Sequence, residues 1–268
     1  MVGSAGDESV RREFYEAAPL HQTHVDDFLI ARHEVTFADW ITYLQHLSLQ
    51  EQAARLPKIV SNLGTADTAN LKLERRGDRW HLAMAPITRR YSAWEGDFIH
   101  YDDRSTNEKQ DWLQMPVVGI SPVDVEAYAA WLAQTGRVPG ARICQEYEWE
   151  RAARGADGRT LPHGELVIPS DANIDETYGR RDAAFGPDQV GIHPDSQSPF
   201  GIEDMLGNVW EIVRPTSRAK AWVNKGGSWQ VNTLSARIPN HWVINPGYRQ
   251  IETGARICAS IARSPPNK

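Results

Sequence analysis

The sequence lacks the features that mark a membrane, secreted or nucleic-acid-binding protein. Its 268 residues contain no run near the roughly 18 apolar residues that a membrane-spanning helix needs. The N-terminal stretch has no apolar segment behind a basic start, so no secretory signal is predicted. Acidic residues outnumber basic ones by 35 to 29, and the net charge of -6 argues against nucleic acid or an anionic membrane as partner. We expect a cytoplasmic protein with no membrane insertion, or part of a larger or phage-encoded one.

Cysteine is also scarce. The two cysteines, Cys144 and Cys258, are too few for the disulfide framework of a small secreted protein. Each lies among apolar neighbours, where a buried free cysteine is common and chemically inert. We interpret both as buried free thiols. A disulfide or a metal-binding pair is the alternative.

Tryptophan, by contrast, is abundant, with ten residues spread from Trp40 to Trp242. Hydrophobic residues make up 41% of the chain, enough for a sizeable core built around large aromatic side chains. Residues 1–22 are polar and charged and are predicted to form a flexible lead-in. Residues 23–262 are predicted to form a single domain, followed by a tail over 263–268.

Capping residues and apolar spacing predict two main helices. Thr36 is a good N-cap for a helix near 37–47, with apolar residues on one face. Ser121 caps a second helix near 122–134, Pro122 takes its first position, and Gly136 ends it. A third, shorter helix is predicted over 145–154, closed by a glycine.

Residues 50–112 form an insertion between the two main helices. Within it, apolar and polar residues alternate on both sides of Arg76, Gly77 and Asp78, which predicts a β-hairpin with a glycine turn. The Arg-Gly-Asp tripeptide is typical of adhesion motifs, but Gly-Asp is also ordinary turn chemistry, and we interpret it as a turn. After residue 155, Gly, Pro, Asn and Asp punctuate short apolar runs, which is typical of loops between short strands. The sequence therefore predicts a loop-rich α+β fold with two main helices and short antiparallel strands.

Four segments occur in an order that suggests a family. They read FLIARHEVTFADWITYL; MPVVGISPVDVEAYAAWL with ARICQEYEWERAARGADGRTLPHGE; SPFGIEDMLGNVWEI; and KGGSWQVNTLSAR followed by TGARI. Together they resemble the formylglycine-generating-enzyme (sulfatase-modifying factor) family, and particularly its copies fused to bacterial serine/threonine kinases. The resemblance implies a fold of the C-type-lectin kind.

The resemblance also implies where catalysis would take place. In the enzymes of the family, two cysteines three and eight residues beyond the serine of GGS bind copper and carry the oxidation. Here Ser228 is that serine, and the two positions hold Val231 and Ala236. Neither side chain can replace a thiolate, the soft ligand that suits Cu(I). We therefore expect no copper and predict no catalytic residue.

A second branch of the family holds iron with histidines of an added helical domain. The residues here include His21, His24 and His33 near the start, but no pair of histidines with ligand spacing falls on a predicted helix. We predict that His21 and His24 face solvent.

Of the cofactors that the resemblance implies, calcium fits the residues present best, because hard oxygen ligands from an irregular loop suit it. At the LGNVWE segment, the family pattern implies two carboxylates and three carbonyl groups, with a weaker match at an earlier asparagine. The corresponding residues are Asp204, Glu211, Leu206, Gly207, Val209 and Asn173. The alternative is that Asn208 and Glu211 only satisfy the backbone of a turn and an arginine.

The loop between GGSW and TGAR mixes flat aromatic residues with hydrogen-bonding ones, a composition typical of binding surfaces. Its candidate ligand-binding residues are Gln230, Asn232, Asn240, His241, Trp242, Asn245, Tyr248 and Arg249. The alternative is that Trp242 and Tyr248 are core residues. The same stretch also resembles the one randomised in variable proteins of diversity-generating retroelements, which share this fold.

These observations favour a non-catalytic recognition module for a protein, peptide or glycan ligand. Such a module could be a variable protein or the sensor domain of a kinase. The alternative is a metal-dependent oxidase or oxygenase of the same family that acts on a thiol or peptide substrate. Fold alone does not decide between them.

Overall fold

The computed structural model describes residues 2–5, 17–60, 69–216 and 221–261, except for the side chains at positions 60 and 69. The predicted tail over 263–268 lies outside these residues. Within them the α-helices are α1 (Phe37–Gln45), α2 (Leu49–Arg55), α3 (Pro122–Gln134) and α4 (Glu146–Arg154). None is long and apolar enough to cross a membrane.

The helices begin where the capping residues predict. The Thr36 hydroxyl accepts a hydrogen bond from the Asp39 amide at the start of α1, and Ser121 does the same with Asp124 at the start of α3. Helix α4 ends at Gly155, whose φ of 71° few other residues tolerate. All three predicted helices are present. Helix α1 stops at Gln45, and α2, which the sequence analysis did not predict, starts a few residues later.

The strands are short. They are β1 (Phe28–Ile30), β2 (Lys58–Val60), β3 (Ala69–Arg76), β4 (Arg79–Met84), β5 (Tyr91–Trp94), β6 (Ile99–His100), β7 (Lys109–Gln110), β8 (Ala141–Ile143), β9 (Trp210–Val213), β10 (Trp222–Lys225), β11 (Trp242–Ile244), β12 (Thr253–Gly254) and β13 (Ile257–Ser260). They form sheets ordered β1-β13-β8, β11-β10-β9-β12, β2-β3-β4-β5 and β6-β7. Among the described strands, every pairing is antiparallel except β12 with β9. The predicted α+β class with short antiparallel strands is confirmed.

The 50–112 insertion contributes to the main core. Its predicted hairpin is β3–β4, with Gly77 at φ 61° in the turn. Leu73 and Leu82 from this hairpin are buried in the same apolar cluster as Trp40 of α1 and Leu132 of α3. The insertion therefore shares one hydrophobic core with the rest of the domain.

Two residues at the start of the predicted lead-in over 1–22 make contacts that the structure describes. Val2 is buried, and its amide donates to the His21 carbonyl at 3.0 Å. The Gly3 amide donates to Glu150 Oε2 at 2.9 Å, and Arg154 Nη2 donates to the Gly3 carbonyl at 3.1 Å. Buried charged partners on α4 thus anchor residues that look unstructured by composition.

The cysteines are also not as predicted. Cys144 and Cys258 form a disulfide with a Cα–Cα distance of 4.9 Å, so the interpretation as free thiols is wrong. The two residues are 114 positions apart in sequence. Strand β13 pairs with β8 and places Cys258 opposite Arg142, two residues before Cys144. Sheet pairing brings the two residues together, and their sequence spacing gave no sign of it.

Candidate functional site

The two positions to which the family resemblance assigns the cysteine pair, Val231 and Ala236, lie side by side against Gly227. A Cβ atom placed on Gly227 would lie 2.4 Å from Ala236 Cβ and 3.1 Å from Val231 Cγ2. Ala236 is fully buried in an apolar cluster with residues such as Leu161 and Leu206, and Val231 packs against this cluster. The two positions are therefore adjacent in this structure, and both carry apolar side chains.

A polar pair that the sequence analysis missed involves the serine of GGS. Ser228 Oγ donates a hydrogen bond to Glu252 Oε2 at 2.7 Å, and Ser228 is fully buried. Burial raises the pKa of the Glu252 carboxyl. The pair can hold a proton or bind a polar group. No sequence motif linked Glu252 to Ser228, because the two residues are 24 positions apart.

In the LGNVWE segment, Glu211 already has strong partners. Its carboxylate accepts hydrogen bonds from Arg256 Nη2 at 2.8 Å and from Arg256 Nε at 3.0 Å. Trp149 Nε1 donates to Glu211 Oε2 at 2.8 Å. Both oxygens of this buried carboxylate therefore accept hydrogen bonds from Arg256 or Trp149. The alternative interpretation, in which Glu211 pairs with an arginine, describes these contacts.

Asp204 lies at the start of the same turn in a left-handed conformation, with φ 58°. Its Oδ2 accepts a hydrogen bond from the Gly191 amide at 2.6 Å. Burial raises the pKa of Asp204 to about 6, because the charged form loses its hydration. Burial likewise raises the pKa of Glu34 well above its usual range. Glu34, Asp204 and Glu211 therefore place three buried carboxyl groups around the single positive charge of Arg256.

The remaining residues of the predicted calcium set are also buried. Leu206, Gly207 and Val209 form the turn, and the Gly207 amide donates to the Gly226 carbonyl at 2.9 Å. The Asn173 carbonyl accepts from the Asn208 amide at 2.7 Å. Among the described residues, no three His, Cys, Asp or Glu side chains are grouped to hold a metal.

This donor set does not fit a calcium ion unless Arg256 leaves Glu211, since that carboxylate has no oxygen to spare. Calcium binding at this turn stays a prediction.

Three of the predicted ligand-binding residues lie together on the edge strand β11 and the turn after it, with Tyr248 half-buried against the main core. Trp242 is 36% exposed, and its ring meets that of Tyr248 edge-on at 5.3 Å between centroids. Asn245 is exposed and shapes the turn, since its carbonyl accepts from the Tyr248 amide at 3.1 Å. We call Trp242, Asn245 and Tyr248 the aromatic surface.

Arg249 and Asn240 instead hold the loop in place. Arg249 Nη2 lies 2.6 Å from Asp124 Oδ2, and its Nη1 donates to the Leu56 carbonyl at 3.0 Å. Asn240 is buried and donates to the Leu234 carbonyl at 2.8 Å. Both side chains support the fold around the aromatic surface.

Three other candidates point to different environments. His241 Nδ1 lies 2.7 Å from Glu146 Oε1, in a buried charged group with Lys225. Asn232 Oδ1 accepts from the Ser235 amide at 3.0 Å and shapes the turn that carries Val231. Gln230 is exposed on the same turn.

Comparison with known proteins assigns the family. Residues 2–261 match the Sulfatase-modifying factor enzyme 1-like domain. The chain belongs to this family. This confirms the family that the four sequence segments resembled.

Relatives within the family include enzymes and proteins described as inactive. The chain is 30% identical over 223 residues to formylglycine-generating enzyme of Mycobacterium tuberculosis, which covers 75% of the chain and 67% of the relative. It is 31% identical over 177 residues to inactive C-alpha-formylglycine-generating enzyme 2 of Bos taurus, which covers 58% of the chain and 54% of that relative. The chain thus spans about half to two thirds of these relatives.

A solved structure agrees on the fold. PvdO from Pseudomonas aeruginosa superposes with a TM-score of 0.63 at 22% identity, over 97% of this chain and 90% of PvdO. At this identity the likeness concerns the fold alone.

Proposed function

We propose that this member of the sulfatase-modifying factor family is a recognition module without copper-dependent oxidation. One observation carries the proposal. The two positions at Gly227 that would hold the cysteine pair are Val231 and Ala236, and the apolar cluster around them offers no soft ligand.

The disulfide strengthens this proposal. Both cysteines of the chain, Cys144 and Cys258, are buried and bonded to each other. A thiolate is the nucleophile and the soft metal ligand in cysteine chemistry, and a disulfide supplies none. The oxidised chain therefore has no thiol that could take over the missing role.

A copper titration tests whether the absence of the cysteine pair abolishes copper binding. Under anaerobic conditions with Cu(I) and a competing chelator, we expect the oxidised wild-type protein to take up no tightly bound copper. The double variant V231C/A236C is the matched control, because it places two thiols at these adjacent positions. Stoichiometric Cu(I) uptake by the wild type would contradict the proposal.

The aromatic surface is the proposed recognition site. Trp242 and Tyr248 stiffen each other through their edge-on contact, and rigid aromatic side chains lose little entropy on binding. Arg249 and Asn240 fix the loop beneath them. A rigid aromatic pair beside an exposed asparagine suits a protein, peptide or glycan ligand.

A binding screen tests this surface. The wild-type protein would be probed with an immobilised glycan array and a displayed peptide library, and the best binder measured by calorimetry. W242A should weaken binding of that ligand by about 2 kcal/mol, or roughly 30-fold, which is typical when an interface anchor is truncated. L49A is the control, since Leu49 on α2 is 84% exposed and lies outside the aromatic surface. Equal binding by wild type and W242A, at equal melting temperatures, would rule this surface out.

The alternative function is a metal-dependent oxidase or oxygenase acting on a thiol or peptide substrate. The identity to the Mycobacterium tuberculosis enzyme favours it, and the Ser228–Glu252 pair beside the apolar cluster could hold a proton for such a reaction. Variation of the last loop among copies of the gene is a further proposal. It is tested by sequencing for a near-copy of the loop beside a reverse transcriptase gene.

A further inference from the structure

Strand β1 forms an edge of its sheet. The sheet is ordered β1-β13-β8, and among the described strands none pairs with β1 on its outer side. The Ala31 amide donates to the Ile257 carbonyl at 2.9 Å, so Ala31 and, two residues earlier, Leu29 direct their main-chain groups toward β13. Because these directions alternate along an antiparallel pair, the amides and carbonyls of Phe28 and Ile30 point away from the sheet. Within the part of the chain that the structure describes, nothing forms a hydrogen bond with these four groups.

Strand β1 itself has none of the features that usually protect a sheet edge. Edge strands are commonly protected by lysine, proline or a β-bulge. The three residues of β1 are Phe, Leu and Ile, and their register with β13 has no shift. Leu29 is 58% exposed. The edge closes only after the strand, where the Glu203 amide donates to the Arg32 carbonyl at 3.0 Å.

A cleft lies on each side of this edge. The first cleft, of about 730 Å³, is lined by residues such as Ala152 of helix α4 and Phe200. The second cleft, of about 760 Å³, is lined by residues such as Leu132 of helix α3. Leu29 and Ile30 line both clefts, so β1 separates them.

The two clefts lie on opposite faces of the sheet. Ile30 packs with Trp149 of α4 in one apolar cluster, whereas Ile257 of β13 packs with residues of α3 in the main core. Leu29 lies across from Ala259, two residues beyond Ile257, and therefore shares the α3 face. Since side chains alternate between the faces of a sheet, a strand added at this edge would direct its side chains into the two clefts in turn.

The start of the edge is acidic. Asp26 and Asp27 come directly before β1, are exposed and line the first cleft. His24 lies 3.4 Å from Asp26, while no described side chain forms an ion pair with Asp27. Across the same cleft, Arg151 of α4 stacks on the Phe200 ring at 5.1 Å. A basic residue at the β1 side of the cleft would therefore complement Asp27.

We propose that β1 binds an extended peptide by strand addition, with apolar side chains at alternate positions and a basic residue beside Asp27. The main-chain groups of Phe28 and Ile30 supply the hydrogen bonds, and the two clefts take alternate side chains. An extended backbone presents donors and acceptors at the spacing of this edge, which a glycan does not. The site shares no residue with the aromatic surface, so it is a second recognition site.

A displayed library of linear nonapeptides supplies the probe. The library would be selected on the full wild-type chain and counter-selected on L29K, because an edge lysine opposes strand pairing. L29K should weaken the best synthetic peptide about tenfold or more. L49K is the matched control and should leave binding unchanged, since Leu49 on α2 is 84% exposed and lines neither cleft. D27N should weaken the peptide a few-fold, as expected for an exposed ion pair.

Two measurements test strand addition itself. N-methylation along the peptide should weaken binding about tenfold at every second residue and little at the others, because only alternate amides face β1. In amide hydrogen exchange followed by NMR, the peptide should newly protect Phe28 and Ile30, while the Leu29 amide already faces β13.

Three results would contradict the proposal. One is a selection that yields no peptide sensitive to L29K. Another is an N-methylation effect without alternation, or unchanged exchange at Phe28 and Ile30. The third is wild-type protein that binds no peptide and dimerises while L29K stays monomeric, which would assign this edge to a second copy of the chain.

Discussion

Arg256 donates hydrogen bonds to both carboxylate oxygens of Glu211, and both side chains are buried. The same guanidinium donates to the Arg32 carbonyl at 2.6 Å and to the Glu203 carbonyl at 2.8 Å. It therefore ties the TGAR segment to the LGNVWE segment and to the residues before α1. Three of the four segments that define the family meet at this one side chain.

Removal of Arg256 should destabilise the fold strongly. R256M would leave Glu211 buried and unpaired, and such a change typically costs about 3–5 kcal/mol. Urea unfolding measures it. R76M is the control, since the ion pair of Arg76 with Glu74 is largely exposed and should change stability by less than about 1 kcal/mol. Similar losses for both variants would contradict the role given to Arg256.

The excess of buried carboxyl groups predicts a pH dependence. Burial raises the pKa of Asp204 to about 6, from its usual 3.8, and also raises that of Glu34. Between the unfolded and native pKa values the native state binds more protons, so the free energy of unfolding should fall as the pH rises. Burial alone would lower the pKa of His193, but its hydrogen bond to Asp188 raises it, and this contribution has the same sign.

The protein should therefore be more stable at pH 5.5 than at pH 8. D204N should flatten this dependence and raise stability at pH 8, because asparagine is uncharged and tolerates the φ of 58° at this position. Denaturant unfolding at both pH values measures it. D195N, at an exposed aspartate, should leave the slope as in the wild type. A slope that D204N does not change would refute the assignment.

Calcium should have little effect on stability, because Arg256 and Trp149 occupy the Glu211 carboxylate. Metal-free protein should melt at the same temperature in calcium and in EDTA. A ligand that binds only the native state raises the melting temperature by mass action. A rise in calcium that D204N abolishes would therefore establish the calcium site that the family pattern predicts.

The Cys144–Cys258 disulfide should contribute substantially to stability. It closes a loop of 114 residues, and removal of such a bond typically costs about 2–5 kcal/mol. C144A/C258A should unfold at lower urea, and denatured wild-type protein should show no reactive thiol until it is reduced. Free thiols in unreduced protein would contradict this bond. Disulfides persist mainly in oxidising compartments, so their presence here would argue against the expected cytoplasmic location.

Local chemistry made much of the fold predictable. Thr36, Ser121 and Gly155 mark helix ends because caps and turns act over a few residues. The family segments were visible for a similar reason, since each is a short contiguous string. Helix α2 was missed, although Ser48 and Glu51 form a capping box there. None of its seven residues is fully buried, and their sequence shows no apolar periodicity.

The site was less predictable, because its contacts join distant residues. Asn240 and Arg249 have the composition of binding residues, yet tertiary partners such as Asp124 use their hydrogen-bonding groups internally. The Ser228–Glu252 pair joins two loop residues that are 24 positions apart, and no local pattern encodes such a contact. Exposure of Trp242 at a sheet edge is likewise a property of the assembled fold.

The most direct test of the proposed loss of oxidative chemistry is oxygen consumption. Purified protein supplied with copper, a reductant and a cysteine-containing peptide would be followed with an oxygen electrode and by mass spectrometry of the peptide. With Val231 and Ala236 in place of the cysteine pair, we expect uptake equal to that of a protein-free blank and an unchanged peptide mass. Oxygen uptake that scales with protein concentration, together with conversion of the peptide cysteine, would contradict the proposal and establish an enzyme.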